Sequence, residues 1–271
     1  MIRSAVTIAL VPQIKTGPWI FWDDLEHGMS KASALGFDAI ELFTASGHAV
    51  HSSTLKKLVE RYKLKIAAVG TGAGKVIHGL TLTDHNIDIR KKSIVFIREM
   101  MEFGAEFCAP SIIGSMQGNS IPGNTHSHSL DLLAEGLHIL DQHAGSLGVK
   151  LIYEPLNRYE TNLINRLDDG SAFIEKYKFK NIQLLADLFH MNIEEDNMNT
   201  IIYNNIRNIG HVHFADSNRK PMGCGHTQMK DVADALIGSG YNGYVSAEAF
   251  PWPDPEQAAA QTIRSFRKYF R

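Results

Sequence analysis

Cysteine is scarce in this chain, with only Cys108 and Cys224 among 271 residues. Two cysteines cannot form the disulfide framework of a small secreted domain, and the N-terminal segment MIRSAVTIALVPQ lacks a long apolar stretch followed by a small-residue cleavage site. No apolar run approaches the roughly 18 residues that a membrane-spanning helix needs. We therefore expect a cytoplasmic protein without a membrane partner.

Excess charge of either sign is also missing, because the formal net charge is only -2. A protein that binds nucleic acid through its phosphates needs a basic surface, so this balance disfavours nucleic-acid partners and favours small molecules. The sequence is 44% hydrophobic and 21% charged, enough to bury a large core. We expect one globular domain over residues 1–271.

The sequence lacks a glycine-rich turn after its first predicted strand, where VPQIKTG follows instead. An open sheet that binds dinucleotides would carry such a turn. Short apolar runs alternate with segments in which apolar residues recur every three or four positions, the pattern of strand and amphipathic helix. The alternation predicts an α/β protein with a single (β/α)8 TIM barrel, closed by a helix over residues 254–270. Its strands are predicted at residues 6–10, 38–43, 65–70, 109–114, 150–155, 181–187, 210–216 and 244–250.

Four polar residues stand at or near the C-terminal ends of the fifth to eighth predicted strands: Glu154, Asp187, His213 and Glu248. In a TIM barrel this end of the strands holds the active site. Three carboxylates and an imidazole would repel one another there, and a divalent cation would relieve the repulsion. Such an oxygen-rich set suits Mn²⁺, which we expect first, or Co²⁺ or Mg²⁺. Each residue taken alone could instead cap a helix or pair with a cation.

The C-terminal half resembles the sugar isomerase and epimerase branch of the xylose-isomerase-like TIM barrels. The segments that carry this likeness are EPLNRYETNLIN from Glu154, ADLFHMNIEE from Ala186, HVHFADSNRKPMGCGH from His211 and SAE from Ser246. D-Tagatose and D-psicose 3-epimerases typify the branch. Residues 68–94 resemble the lid-bearing third unit of members that include 5-keto-L-gluconate epimerase, which is the closer likeness.

The resemblance implies an isomerase of EC 5.1.3 type that epimerises a keto-sugar or keto-sugar acid, as ketose 3-epimerases or a 5-keto-gluconate epimerase do. Glu154 and Glu248 would be the two catalytic bases, one removing the proton beside the ketone and the other returning a proton to the opposite face of a metal-stabilised enediolate. The implied metal ligands are Glu154, Asp187, His213 and Glu248. The implied substrate contacts are His190, Arg219 and Glu160.

Each implied substrate contact has a structural alternative. His190 would then cap a loop, Arg219 would pair with Asp216 or Glu194, and Glu160 would pair with Arg158. We predict two further substrate contacts from strand positions. They are Glu41 and Trp252. Glu41 could equally support a metal ligand without touching the substrate, and Trp252 could equally pack beneath the last helix. His211 is expected one layer below His213, as a support for a ligand.

The substrate and the oligomer remain open at this level. Asp254 and Glu256 after the last strand would repel a phosphate, whereas Arg219, Lys220 and Lys75 could receive a carboxylate. Lys75 belongs to a glycine-rich segment, residues 71–79, that we expect to form a lid. The resemblance implies a homodimer or homotetramer. Alternative activities are an aldose–ketose isomerase such as hydroxypyruvate isomerase, a keto-inositol dehydratase, sugar binding without catalysis, and an endonuclease IV-like AP endonuclease, which the charge disfavours.

Overall fold

The computed structural model describes residues 1–123 and 125–271 and confirms the predicted (β/α)8 barrel. Eight parallel strands follow one another in chain order, and the barrel closes because the first strand pairs with both the second and the eighth. A further strand of two residues, Phe21–Trp22, pairs with the first strand and was not predicted. The barrel strands are β1 (Arg3–Leu10), β2 (Ala39–Thr44), β3 (Lys65–Gly70), β4 (Ser111–Ile113), β5 (Leu151–Tyr153), β6 (Ile182–Asp187), β7 (Ile209–His213) and β8 (Tyr244–Ala247).

Helices connect the strands, and most begin at a side chain that accepts a backbone N–H of the first turn. Asp24, Asn86, Thr125 and Asp254 cap helices in this way, the expected role of short polar residues at an N-cap. The helices are α1 (Leu25–Leu35), α2 (Ser52–Tyr62), α3 (Ala73–His78), α4 (Ile87–Ala105), α5 (His126–Leu147), α6 (Leu167–Tyr177), α7 (Leu188–Glu194), α8 (Met198–Asn205), α9 (Met229–Gly238) and α10 (Pro255–Phe270), with a 3₁₀ turn at Ser115–Gln117.

Several strands are shorter than predicted at their C-terminal ends. β5 ends at Tyr153 and β8 ends at Ala247, so Glu154 and Glu248 each lie one residue beyond a strand. The pairing of β2 with β3 also shifts register, because Ile40 and Glu41 lie opposite Ile66 and Ala68, which leaves Ala67 of β3 as an extra residue. Glu41 itself keeps the regular pairing of β2 with β1, whereas Glu154 and Glu248 lie beyond the strict alternation of their strands.

Hydrophobic side chains fill the space between the strands and the surrounding helices, while a smaller group fills the barrel interior. Ala68, Ile112, Ile152 and Leu185 form a layer inside the barrel, as expected for a packed core rather than a pore. Within the described residues, no helix combines the length and the apolar character that crossing a membrane requires. The cytoplasmic location stays a prediction.

Candidate active site

The four residues predicted as metal ligands meet at the C-terminal mouth of the barrel. One donor atom from each of Glu154, Asp187, His213 and Glu248 lies within 4.8 Å of the other three. His213 Nδ1 is 3.3 Å from Asp187 Oδ2 and 3.5 Å from both Glu154 Oε1 and Glu248 Oε2. Donors about 2.1 Å from one ion and at right angles to each other are about 3.0 Å apart. The observed spacing therefore fits a shell around one cation.

Glu154 carries the clearest sign of a missing partner. Its Oε1 atom is buried and has no hydrogen-bond partner among the described residues, a state that costs free energy. Burial raises the pKa of Glu154 to about 7, although the nearby His213 acts in the opposite direction. Gly114 makes room for this carboxylate, because a Cβ at that position would collide with Glu154 Oε2. A divalent cation would supply the missing partner.

Asp187 is both a helix cap and a member of the cluster. Its Oδ1 accepts the backbone N–H groups of Phe189 at 2.7 Å and His190 at 3.3 Å, which begins α7 and leaves Oδ2 facing His213. Burial alone would raise the pKa of Asp187, but the neighbouring His190 and His213 hold it well below its usual range. The helix-cap alternative for this residue is thus compatible with the ligand role.

Glu41 supports the cluster from below. Its Oε1 lies 3.1 Å from His213 Nε2, and its Oε2 lies 2.7 Å from His211 Nε2. Burial would raise the pKa of Glu41, but the two histidines hold it well below its usual range. A carboxylate on one imidazole nitrogen turns the other nitrogen toward a metal. The geometry favours the alternative in which Glu41 supports the ligand His213, although the residue also borders the cavity described below.

Arg219 bridges two glutamates at the mouth. Its Nη2 donates to Glu248 Oε2 at 2.7 Å, its Nη1 lies 3.3 Å from Glu160 Oε1, and its guanidinium lies 4.7 Å from the Phe189 ring centre. Burial would lower the pKa of Arg219, but the carboxylates around it, first Glu248, raise the pKa above its usual value. Arg219 is therefore part of the site rather than a surface cation.

The alternative partners considered for Arg219 and Glu160 are engaged elsewhere. Glu194 pairs with Arg158 at 2.9 Å. Asp216 accepts the backbone N–H groups of Gly223, Gly225 and Thr227 at 2.7 to 3.0 Å, which organises the loop that presents Arg219.

His190 faces the metal-ligand cluster from α7. Its Nε2 lies 3.7 Å from Asp187 Oδ2 and 3.8 Å from Glu154 Oε1, is buried, and has no hydrogen-bond partner among the described residues. Its Nδ1 faces Asn157, a contact that sequence reasoning missed because it depends on how the loop after β5 folds back. His190 therefore caps this loop by accepting the Asn157 backbone N–H, and its Nε2 remains open to the predicted substrate contact, which stays a prediction.

Residues 29–269 match the model of the xylose isomerase-like TIM barrel family. The protein belongs to this family. The chain is 35% identical over 152 residues to 3-dehydro-D-guloside 4-epimerase of Escherichia coli, covering 54% of this chain and 58% of that relative. It is 29% identical over 241 residues to D-psicose 3-epimerase of Ruminiclostridium cellulolyticum, covering 84% of this chain and 80% of that relative.

Among solved structures, 3-keto-D-glucoside 4-epimerase of E. coli superposes with a TM-score of 0.82 and 23% identity, over 99% of this chain and 100% of that chain. At this identity the superposition shows the fold. The relatives are carbohydrate epimerases, so the predicted enzyme class is confirmed. The narrower likeness to 5-keto-L-gluconate epimerase stays a prediction.

In this family member Glu154, His213 and Glu248 of the cluster line a cavity of about 240 Å³. Pro18, Trp19, Phe43 and Val76 supply an apolar wall, in which the Trp19 and Phe43 rings stack with centres 4.2 Å apart. Sequence analysis missed Trp19, because it lies in an irregular segment after β1 with no periodic pattern. The wall offers an apolar surface to the C–H face of a sugar.

Trp252 requires a correction. We predicted a substrate contact, but Trp252 is 48% exposed, its ring lies 3.8 Å from Lys220 Nζ, and it is not among the described residues that line the cavity. Its position just after the eighth strand suggested an inward side chain, whereas the loop through Pro251 and Pro253 carries the ring to the surface.

Two lysines that we expect to receive a substrate carboxylate, Lys220 and Lys75, are not among the described residues that line the cavity. Lys220 lies over Trp252, and Lys75 in α3 does not line the cavity, although Thr71 and Val76 from the same segment do. Among the described residues, Arg219 is the one lysine or arginine that borders the cavity, and both of its glutamate partners border it too. The described residues that line the cavity thus offer an acid substrate no guanidinium or ammonium group that is without a carboxylate partner.

Proposed function

We propose that this protein is a divalent-metal-dependent epimerase of an unphosphorylated keto-sugar, acting at a carbon beside the ketone. The observation that carries the proposal is the cluster of Glu154, Asp187, His213 and Glu248, in which a buried glutamate oxygen lacks a partner. The psicose and guloside epimerases named above support this substrate class.

Two carboxylates fit the need for one base on each face of the substrate. Glu154 extends from β5 and Glu248 from β8, so they reach the cavity from different sides of the barrel. Burial in the metal-free site raises the pKa of Glu154 to about 7, and a bound cation would lower it, so the ionised carboxylate is the form that would accept a proton. Arg219 orients Glu248 through its 2.7 Å hydrogen bond. One glutamate removes the proton, and the other donates a proton from the opposite face.

The cation would be held by Glu154, Asp187, His213 and Glu248. We propose Mn²⁺, with Co²⁺ or Mg²⁺ as alternatives, since carboxylates and one imidazole suit these ions. When bound, it supplies Lewis-acid stabilisation of negative charge on the substrate. His190, Arg219 and Glu160 would hydrogen-bond the sugar oxygens.

A free keto-sugar fits the cavity better than a keto-sugar acid. Arg219 already pairs with Glu160 and Glu248, so a carboxylate substrate would bring a third negative charge beside one guanidinium whose remaining buried nitrogen is Nε. The apolar wall at Trp19 and Phe43 would face a neutral part of the substrate. The remaining expectations, one domain over residues 1–271, a homodimer or homotetramer, and a cytoplasmic location, stay proposals.

The deciding experiment follows hydrogen exchange in D₂O by NMR. Metal-loaded protein is incubated with D-fructose, D-tagatose, D-psicose, 5-keto-L-gluconate or D-tagaturonate. We expect deuterium at the carbon beside the ketone, dependence on Mn²⁺ or Co²⁺, and faster exchange of the neutral sugars. Glu154→Gln and Glu248→Gln should each slow exchange about 10³-fold.

Glu175→Gln is the matched control, because Glu175 is an exposed glutamate on α6 and should leave exchange unchanged. Metal-loaded protein that exchanges none of these sugars would overturn the proposal, and conversion without epimerisation would point to isomerisation or dehydration.

A further inference from the structure

Asn157, in the loop between β5 and α6, connects two of the predicted substrate contacts. It is 2% exposed. Its backbone N–H donates to His190 Nδ1 at 3.3 Å, and its side-chain nitrogen lies 2.7 Å from the same atom. The side-chain nitrogen also donates to Glu160 Oε1 at 3.0 Å.

The orientation of the Asn157 amide follows from two neighbours whose roles are unambiguous. Its Oδ1 accepts the backbone N–H of Tyr159 at 3.0 Å, and its NH₂ group faces the Glu160 carboxylate. A flipped amide would aim its NH₂ at a backbone N–H and its oxygen at a carboxylate, which are two repulsive contacts. The NH₂ group is therefore the one that faces His190.

His190 Nδ1 consequently faces two donors, the backbone N–H and the NH₂ of Asn157. A neutral imidazole has one nitrogen that accepts and one that donates. With Nδ1 accepting, the proton resides on Nε2, the atom that faces Glu154 and Asp187. His190 is one of the residues that line the cavity.

We propose that Asn157 is a positioning residue that holds His190 as the Nε2–H tautomer, so that His190 donates a hydrogen bond to a substrate oxygen. The proposal rests on the proposed function only for the identity of that oxygen. A protonated Nε2 has no lone pair for a metal, so His190 stays outside the ligand set although its Nε2 lies 3.7 Å from Asp187. For the same reason it does not act as a base.

An N–H group aimed at the reacting region stabilises negative charge that develops on a substrate oxygen. This role is distinct from proton transfer by Glu154 and Glu248. It also explains why Nε2 is buried without a protein partner. Two of the unpartnered buried atoms of this region, His190 Nε2 and Glu154 Oε1, thus fit different groups, an oxygen acceptor and a cation.

The test reads the tautomer directly. Protein labelled with ¹⁵N-histidine is studied by long-range ¹H–¹⁵N correlation NMR in the Mg²⁺-loaded state, and the signals lost in His190→Gln identify His190. We expect an unprotonated Nδ1 and a protonated Nε2. Asn157→Asp replaces a donor by an acceptor of the same shape, so it should shift His190 toward the Nδ1–H form and lower kcat about 10²-fold with a smaller change in KM.

Asn165→Ala is the matched control, because Asn165 stabilises the same loop through the carbonyl groups of Leu156 and Thr161 without touching His190. It should leave the His190 signals unchanged. A wild-type protein with the proton on Nδ1 would overturn the proposal even if Asn157→Asp fails to fold. Unchanged signals and kcat in a folded Asn157→Asp variant would also overturn it. A protein that shows the expected tautomers but no epimerase activity would contradict the proposed function and leave the tautomer assignment standing.

Discussion

Two histidine–carboxylate clusters share His213 and behave differently. The outer cluster comprises Glu154, Asp187, Glu248 and His213 Nδ1, and the inner cluster comprises Glu41, His211 and His213 Nε2. Both bring ligand-type atoms close enough to hold an ion. In the inner cluster the contacts are 2.7 and 3.1 Å, whereas His213 Nδ1 is 3.3 to 3.5 Å from the outer carboxylates.

The pKa shifts and hydrogen-bond partners of the two glutamates, Glu41 and Glu154, differ in the same direction as these distances. Glu41 has two imidazole partners and a lowered pKa, while Glu154 has an unpartnered oxygen and a pKa raised to about 7. A buried carboxylate whose partners are all present needs no ion, and one whose partners are incomplete does. Residue type alone therefore does not mark a metal site. What marks it is whether each buried oxygen or nitrogen atom already has a hydrogen-bond partner in the protein.

The strongest way to break this comparison is to disable the outer cluster alone. Asp187→Asn should lower Mn²⁺ affinity by more than about 100-fold, because one charged ligand is lost. Changing a residue that only supports a ligand lowers metal affinity less, by about 10- to 100-fold. The fold should survive, since asparagine also caps a helix. Isothermal titration calorimetry measures the affinity.

Asp24→Asn is the control for that variant, because it makes the same change at the N-cap of α1. An Asp187→Asn variant that binds Mn²⁺ within threefold of the wild type would remove Asp187 from the ligand set.

Disabling the inner cluster should have a smaller effect on the metal and a measurable effect on stability. Glu41→Gln should weaken Mn²⁺ binding about 10- to 100-fold, because His213 loses its orienting carboxylate. It should also lower the free energy of unfolding of the metal-free protein by about 1–3 kcal/mol, since an amide cannot accept from both histidines in the same way. Denaturant unfolding measures the second effect.

The exposed Glu60 on α2 offers the control variant Glu60→Gln, with neither change expected. If Glu41→Gln weakened Mn²⁺ binding more than Asp187→Asn does, the inner cluster would be the ion site and the comparison would be reversed.

The smallest expected effect comes from pH. Below pH 7 a proton competes with the cation for Glu154, whose pKa is raised to about 7, so affinity falls as pH falls. Burial would lower the pKa of His213, but the neighbouring carboxylates, first Glu41, raise it, so competition by its proton continues above pH 7. Between pH 8 and pH 6 we expect at least about a tenfold loss of Mn²⁺ affinity. Mn²⁺ titrations of the wild type and Glu154→Gln at several pH values test this, because the affinity of the variant should depend less steeply on pH. An equal slope in both proteins would assign the competing proton to another group.

The sequence was sufficient for the barrel and for the members of the outer cluster. Alternating strand and helix patterns determine the topology, and parallel strands bring their C-terminal ends together, so strand-end polar residues converge wherever the barrel closes. Glu154, Asp187, His213 and Glu248 could be found from their positions along the chain alone. Their roles in catalysis remain predictions until the variants are measured.

The tertiary structure alone decided which atoms face each other. Glu41 and His211 are 170 residues apart, and their contact depends on how the closed barrel brings β2 and β7 to face each other and on side-chain rotamers. Trp19 lines the cavity and Trp252 does not, because irregular loops rather than strand periodicity aim these rings. Asn157 reaches His190 through a loop that folds back over α7. A sequence specifies such contacts only through the whole fold, since each one results from long-range packing and not from a local pattern.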